Sequence, residues 1–292
     1  MILREAKVKD EQAVIELCHQ IWPETDHLPS YWSRFLTDPA TLSRVIEVEG
    51  QVVAVSFLEF KGNTAWWHGL RVAPAYQRLG LATRLLGHLI EESRRLGFSR
   101  LRFGASCDSK PMHHMAARQG FLTLSRHRYV CAGPLTGPDE VQPSVHSLEE
   151  SDLDQIEGFL RASEGWRAGH RTACSVWVWE DVTRDFLRSL LEKGTIYACY
   201  DKGRIEGLAL ANQDREPDYT WLFIARIDGS AFGVEALGRH LRRLVSTLKA
   251  GADEECPVQG MVRDDPLIIA ALLQAGYRFF PEEDMHLFEL LL

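Results

Sequence analysis

The chain lacks any apolar run approaching the roughly 20 residues that a membrane-spanning helix needs, so no membrane association is expected. It also lacks CxxC pairs. Six cysteines, at positions 18, 107, 131, 174, 199 and 256, stand singly. That spacing excludes a zinc ribbon or a disulfide framework and reads as reduced thiols; no metal is expected. No glycine-rich loop runs into Gly-Lys-Ser/Thr, and no GxGxxG turn occurs, so neither a Walker A site nor a dinucleotide turn is present. Met1-Ile2-Leu3-Arg4-Glu5 meets an acid at once and shows no secretory pattern; with the lone cysteines this sets a cytoplasmic expectation. Basic residues are in short supply. The 33 Lys and Arg against 41 Asp and Glu give a net charge of −8, which argues against nucleic acid as the main partner.

What is present is a globular composition over 292 residues, 45% hydrophobic and 25% charged, a length that suits about two domains. One stretch is most informative: Gly69-Leu70-Arg71-Val72-Ala73-Pro74, then Gln77-Arg78-Leu79-Gly80-Leu81-Ala82-Thr83. It reads as an apolar strand, a proline-marked exit, and a small-residue turn opening a helix. The first N–H groups of a helix have no intrahelical partner, and with the helix dipole they suit phosphates. Gly80 and Ala82 let a ligand approach the backbone, and Arg78 adds a positive charge. Leu81, Leu85 and Leu89, with Ala82, Leu86 and Ile90, then recur at helical spacing, and Gly97 is a natural stop.

This block resembles the acetyl-CoA-binding segment of the GNAT N-acetyltransferase superfamily, whose pattern is an apolar strand, Val-x-Pro, then Gln/Arg-x-x-Gly-x-Gly/Ala. The resemblance extends over roughly residues 1–130. Val45–Val48, Glu49-Gly50 and Val52–Phe57 are similar to that family's central hairpin. Leu101–Phe103, Met115–Gln119 and Gly120-Phe121 are similar to its closing strand, helix and Gly-Phe strand. The resemblance implies that the backbone of Leu70, Arg71 and Val72 holds the pantetheine arm. Gln77, Arg78, Leu79, Gly80, Leu81, Ala82 and Thr83 would then hold the pyrophosphate, with Ser109 nearby.

The second half repeats the plan of the first. Residues 132–143 are rich in Gly and Pro and read as a linker. Thr195–Tyr200, Asp201-Lys202-Gly203 and Ile205–Leu210 form a second hairpin pattern, and Gln274-Ala275-Gly276-Tyr277 mirrors Arg118-Gln119-Gly120-Phe121. The phosphate turn is lost: Arg226-Ile227-Asp228-Gly229-Ser230 puts an acid where pyrophosphate would sit. The expected fold is therefore α/β (α+β), two tandem GNAT-like domains, each a mixed, mostly antiparallel sheet flanked by helices. The domains are 1–131, catalytic, and 144–292, degenerate, joined by the linker. This tandem plan is also similar to histidine N-acetyltransferase-like proteins.

Acetyl transfer requires a neutral amine, a stabilised oxyanion and a protonated leaving thiolate. The family's acid, a Tyr four residues before the Gly of Gly-Phe, would fall at position 116, which is Ala. His68, just before the cofactor motif, is the candidate base, since its unperturbed pKa lies near neutrality; a core His among tryptophans is the plainer reading. Glu59, on the preceding strand, is a second candidate, with a solvated-face Glu as its plainer reading. Of His113 and His114, which point about 100° apart on a helix, His113 is taken as a candidate for the leaving thiol. Trp22, Asp26, Tyr31, Trp32 and Trp67 are the candidate acceptor-pocket residues, able to hold a cationic or aromatic amine; Trp22 and Trp32 have helix packing as the alternative. The expected activity is acetyl transfer from acetyl-CoA to a small amine such as histidine, by an enzyme compatible with a homodimer. A non-catalytic acyl-CoA sensor and a protein N-terminal or lysine acetyltransferase are the alternatives.

Overall fold

A computed structural model describes residues 1–23, 26–137, 144–168, 171–215, 220–247 and 256–292. Its elements begin with β1 (Ile2–Glu5), α1 (Glu11–Ile21), α2 (Leu28–Thr37), β2 (Thr41–Val48), β3 (Gln51–Lys61) and β4 (Thr64–Val72). Then come α3 (Leu81–Arg95), β5 (Arg100–Ser106), α4 (Lys110–Arg118), β6 (Leu122–Ala132), β7 (Ser144–Ser147), α5 (Leu153–Ala162) and α6 (Glu164–Arg167). The remainder is β8 (Thr172–Ser175), β9 (Val178–Asp181), α7 (Arg184–Glu192), β10 (Ile196–Asp201), β11 (Arg204–Arg215), β12 (Thr220–Gly229), α8 (Ala231–Thr247), β13 (Val258–Arg263), α9 (Pro266–Gln274), β14 (Arg278–Phe279) and β15 (Met285–Leu291).

The chain forms two compact units. The first comprises Met1–Phe103, Lys110–Leu122 and Phe288–Leu292; the second comprises Gly104–Ser109 and Thr123–Leu287. These bounds differ from a single boundary at 132–143: the strand after Gly120-Phe121 lies in the second unit and the last residues of the chain lie in the first. Strand exchange of this kind depends on distant pairing, which local composition does not register. Residues 138–143 of the expected linker lie outside the described residues.

In the first unit the strand order is β1-β2-β3-β4-β5-β15. The β1–β4 pairs are antiparallel, and β4 with β5 is parallel. Glu49 and Gly50 both take positive φ, 51° and 83°, which gives a two-residue turn whose twist matches its strands. One face of the sheet packs Val45, Val55 and Phe57 against Val14 and Leu17 of α1 and Trp32 and Phe35 of α2. The other packs Ile46 and Ala54 against Leu81 and Leu85 of α3. The expected leucine stripe of α3 is buried as its spacing requires.

The second unit has the order β6-β13-β12-β11-β10-β7, with β14 also on β6 and a separate β8–β9 hairpin. Lys202 and Gly203, at φ 47° and 76°, turn β10 into β11 as Glu49-Gly50 turns β2 into β3. Both α4 and α9 stop just before a glycine at φ 82° or 83°, Gly120 and Gly276. The second core runs from Leu222 and Ile224 on β12 to Leu237 and Leu241 on α8 and Ile268 and Leu272 on α9. Cys131 and Cys256 are joined by a disulfide with Cα atoms 5.4 Å apart. The reading of six reduced thiols is thus corrected for this pair; a separation of 125 residues hides it from the sequence.

Within the first unit, β4 carries an irregularity. The register runs Ala54↔Val72 and Val55↔Arg71, then Phe57↔His68, so β4 holds one extra residue there. Gly69 sits in this bulge at φ 69°, and a Cβ on it would lie 2.3 Å from Phe57 Cδ2. Replacing Gly69 by Ala should therefore lower stability by about 2 kcal/mol or more, from positive φ and ring overlap together. A urea midpoint unchanged from the parent would show that the bulge is not rigidly held.

Candidate active site

The site begins where β4 leaves its parallel neighbour. Pairing with β5 covers only Thr64–Trp66 and Arg100–Arg102. Beyond Trp66 the β4 backbone is released on that side, and the bulge at Gly69 turns it further. Leu70 and Val72 of this released stretch line a cavity of about 780 Å³. That volume lies within the range of ligand-binding clefts.

The opposite wall is the start of α3. Gly80 is its N-cap in a left-handed conformation, φ 81° and ψ 6°. Arg78 also takes positive φ, 61°, a conformation that costs a non-glycine residue energy. The two together bring Gln77, Arg78 and the first turn of α3, Leu81 to Thr83, onto the cavity. Gln77 Nε2 donates to the Val72 carbonyl at 3.2 Å, tying the turn to the strand exit. Arg78 and Arg118 both line the cavity, and neither forms an ion pair among the described residues. An open helix N-terminus between two uncommitted guanidinium groups suits a pyrophosphate.

Most of the expected cofactor residues line the cavity, three do not. Leu79 is exposed outside it, and Ser109 is absent from its walls. The Arg71 side chain turns away to Asp26, with Nε to Oδ2 at 2.7 Å and Nη2 to Oδ1 at 2.8 Å. Its guanidinium also stacks over the Trp22 ring, 4.5 Å from the centroid. Residues the sequence reading passed over complete the walls: Ile21, Tyr76, Met112, His114, Met115 and Arg118. The helical phase of α4 could have signalled His114, Met115 and Arg118, which fall at i, i+1 and i+4.

The candidate acceptor residues fare less well. Trp22 is exposed and lines the cavity. Tyr31 is half exposed on α2, beside Phe35 and away from the cavity walls. Trp32 is buried and packs edge-on to Phe57 at 6.0 Å, so it is a core residue. Trp67 is buried too; its Nε1 donates to Ser56 Oγ at 2.6 Å and its ring meets Phe103. The Asp26 carboxylate is occupied. Burial opposes its charge, yet hydrogen bonds from Arg71 and the Leu28 amide prevail and hold it below the usual carboxylate range. Asp26 therefore acts as a clamp between α1, α2 and β4. His113 packs edge-on to Phe288, 5.2 Å between centroids, while its neighbour His114 faces the cavity. One residue of helical phase separates the two.

Glu59 and His68 do come together. They lie on the face of β3 and β4 that packs on α2, with Glu59 Oε2 3.9 Å from His68 Nε2. Glu59 is only 6% exposed, which corrects the solvated-face reading. It accepts from Arg34 Nη2 at 2.9 Å and pairs with Lys61 Nζ at 3.1 Å. The His68 ring stands edge-on to Phe35 at 4.9 Å, and its buried Nε2 receives no hydrogen bond. Burial pushes the His68 pKa down to about 4, against the opposing pull of Glu59. His68 is therefore neutral at pH 7 and does not line the cavity.

The comparisons agree with this geometry. Residues 11–121 match the model of the Acetyltransferase (GNAT) family. The chain is similar to N-alpha-acetyltransferase 20 of Dictyostelium discoideum, at 36% identity over 73 residues. That match takes in 24% of this chain and 42% of the relative. The crystal structure of a GCN5-related N-acetyltransferase from Sphaerobacter thermophilus matches 99% of this chain and 95% of its own, with a TM-score of 0.65 at 13% identity. A Thermoplasma acidophilum protein provisionally assigned as an acetyltransferase matches over the full length of both, with a TM-score of 0.59 at 14% identity. At those identities the structures establish a shared fold. Residues 11–121 are thus similar to the GNAT acetyltransferase family, and the fold is shared with those structures along the chain. No described helix is long and apolar enough to cross a membrane.

The His68 pKa has a consequence for stability. Its folded value lies below the ordinary 6.5, so the unfolded chain takes up a proton between pH 6.5 and about 4 that the folded chain refuses. Stability from this group is full above pH 6.5 and falls as pH drops toward 4, by about 3 kcal/mol at most. His68→Gln should flatten the urea-midpoint profile over that window relative to the parent. Parallel profiles for the two proteins would contradict a His68 whose Nε2 is buried and neutral.

Proposed function

We propose that the chain is an N-acetyltransferase that takes acetyl-CoA in the first unit and transfers its acetyl group directly to the primary amine of a small molecule. The observation that carries this is the cavity joining the released β4 backbone, the open N-terminus of α3, and two uncommitted guanidinium groups. Those residues fit the co-substrate. The α3 turn with Arg78 and Arg118 suits the pyrophosphate, and the apolar wall of Leu70, Met112 and Met115 suits the pantetheine arm. Bound there, acetyl-CoA supplies a thioester whose carbonyl an amine can attack.

The chain's own residues supply the rest. Backbone N–H groups on the unpaired edge of β4 at Leu70–Val72 polarise a carbonyl without reorganisation. His68, beside Glu59 and outside the cavity walls, is the proposed acceptor of the amine's proton, reached through bridging water. His114, which lines the cavity where His113 does not, is the proposed donor to the leaving thiolate. Ala116, fully buried, offers no proton at the family's usual position. The second unit serves as a degenerate copy that carries no acetyl-CoA. Histidine is the first acceptor to try.

A second reading concerns the acceptor. The similarity to an N-alpha-acetyltransferase favours the α-amine of a peptide. The burial of Trp32 and Trp67 removes two of the aromatic walls expected around a small molecule, which points the same way.

Thiol release from acetyl-CoA should appear with at least one primary amine in a panel of free amino acids, polyamines and short peptides with free N-termini. A response to amino acids and polyamines alone supports the small-molecule acceptor; a response to peptides alone replaces it with the peptide reading. Silence across the panel with acetyl-CoA still bound would support the sensor and overturn both. The double variant Arg78→Ala, Arg118→Ala should weaken acetyl-CoA binding about tenfold or more by calorimetry, and more at low salt than at high salt.

A further inference from the structure

The second unit repeats the strand–turn–helix plan but closes it. Parallel strands β12 and β13 pair only over Leu222–Ile224 and Val258–Gly260, and α8 starts directly after Gly229-Ser230. In the first unit this arrangement leaves a cradle open. Here the β11 backbone is pressed into it. A Cβ on Gly229 would lie 2.3 Å from the Glu206 carbonyl oxygen, and one on Gly233 would lie 2.4 Å from the same atom. The Ser230 amide donates to that oxygen at 2.8 Å, and Ser230 Oγ accepts from the Gly233 amide at 3.2 Å. The start of α8 is thus covered by the β11 backbone and capped by Ser230.

Against the closed turn, with Gly229 and Ser230 among its walls, lies a cavity of about 380 Å³, large enough for a small ligand. Its charged walls are Glu164, Glu206, Asp228 and Asp265 against Arg263. Asp265 is already committed: Oδ2 takes Arg263 Nη2 at 2.6 Å, and Oδ1 accepts from the Leu267 amide at 2.9 Å. Asp228 is half committed. It is 3% exposed, and its Oδ2 is held by Arg226 Nε at 2.5 Å. Its Oδ1 faces the cavity at Gly165, where an added Cβ would lie 2.8 Å from it and 3.1 Å from Arg263 Nη2. The carboxylates of Glu164 and Glu206 have no hydrogen bond or ion pair among the described residues. Arg263 is matched by Asp265, and Arg226 by Asp228, so the two glutamates leave the cavity with uncompensated negative charge. Among the described residues no three such groups converge as metal ligands. The remaining wall is apolar, formed by Phe159, Ile205 and Ile268.

We propose that this cavity binds a small organic ammonium ion. Its apolar body rests on Phe159, Ile205 and Ile268, and its charged head lies among Asp228 Oδ1, Glu206 and Glu164. Carboxylates gathered on one cavity without a matching cation are costly, and an ammonium group supplies hydrogen-bond donors and the missing charge. The site does not depend on the transfer reaction proposed for the first unit.

The test uses the full chain with CoA in place of acetyl-CoA, so that no turnover occurs. Phenethylammonium, isoamylammonium and hexylammonium are titrated by calorimetry at pH 7, with 2-phenylethanol and 3-phenylpropionate as neutral and anionic isosteres. Hydrogen–deuterium exchange locates the binding. The expected result is binding of at least one ammonium ion, with protection at residues 159–165, 205–206 and 228–230. Affinity should fall tenfold or more for both isosteres and in Glu206→Gln, and should be unchanged in Trp22→Ala. Binding of none of the three ions would overturn the proposal. So would equal binding of the isosteres, protection confined to the first unit, or indifference of the ammonium to Glu206→Gln combined with Glu164→Gln.

Discussion

The first unit depends on a parallel strand pair that stops early. Had β4 and β5 stayed paired beyond Trp66 and Arg102, the β4 backbone would have been consumed by the sheet and the cavity closed. The bulge at Gly69 maintains the divergence, and Phe57 lies where a side chain at Gly69 would go. From that one constraint follow an unpaired strand edge at Leu70–Val72 and an exit directed at the α3 turn. The Asp26–Arg71 clamp fixes the same strand to the α1–α2 segment from the other side.

The two units show how little must change to convert such a site. Both have a parallel pair that diverges, a short turn and a long helix. In the first, left-handed Gly80 and the open helix start leave N–H groups facing solvent and a pair of guanidinium groups. In the second, close glycine contacts at Gly229 and Gly233 let β11 settle onto the helix start, and Asp228 takes the place of positive charge. Backbone proximity and one change of charge sign separate an open helix start from a closed turn beside an acidic cavity.

Local patterns were legible in the sequence wherever the physics is local. The glycine and turn residues of Gln77–Thr83, the leucine stripe of α3, the two hairpin turns and the Gly120 and Gly276 helix stops all follow from conformational preference. What was hidden depends on partners far away in the chain. Nothing in Trp32 or Trp67 tells a core indole from a pocket wall; Phe57 and Ser56 decide it. Asp26 reads as a free acid until Arg71, 45 residues on, is seen to occupy both its oxygens. The Cys131–Cys256 bond and the exchange of β15 are likewise pairings across long separations. His113 and His114 differ only in helical phase, which a sequence places to within a residue or two and the cavity resolves.

The central claim is that one open cradle and one closed cradle give a single nucleotide site per chain. Its most direct test is the stoichiometry of acetyl-CoA binding to the full-length protein by calorimetry. The account predicts one molecule per chain, lost when Gly80 is replaced by Glu. Two molecules per chain, or one that survives Gly80→Glu, would contradict it.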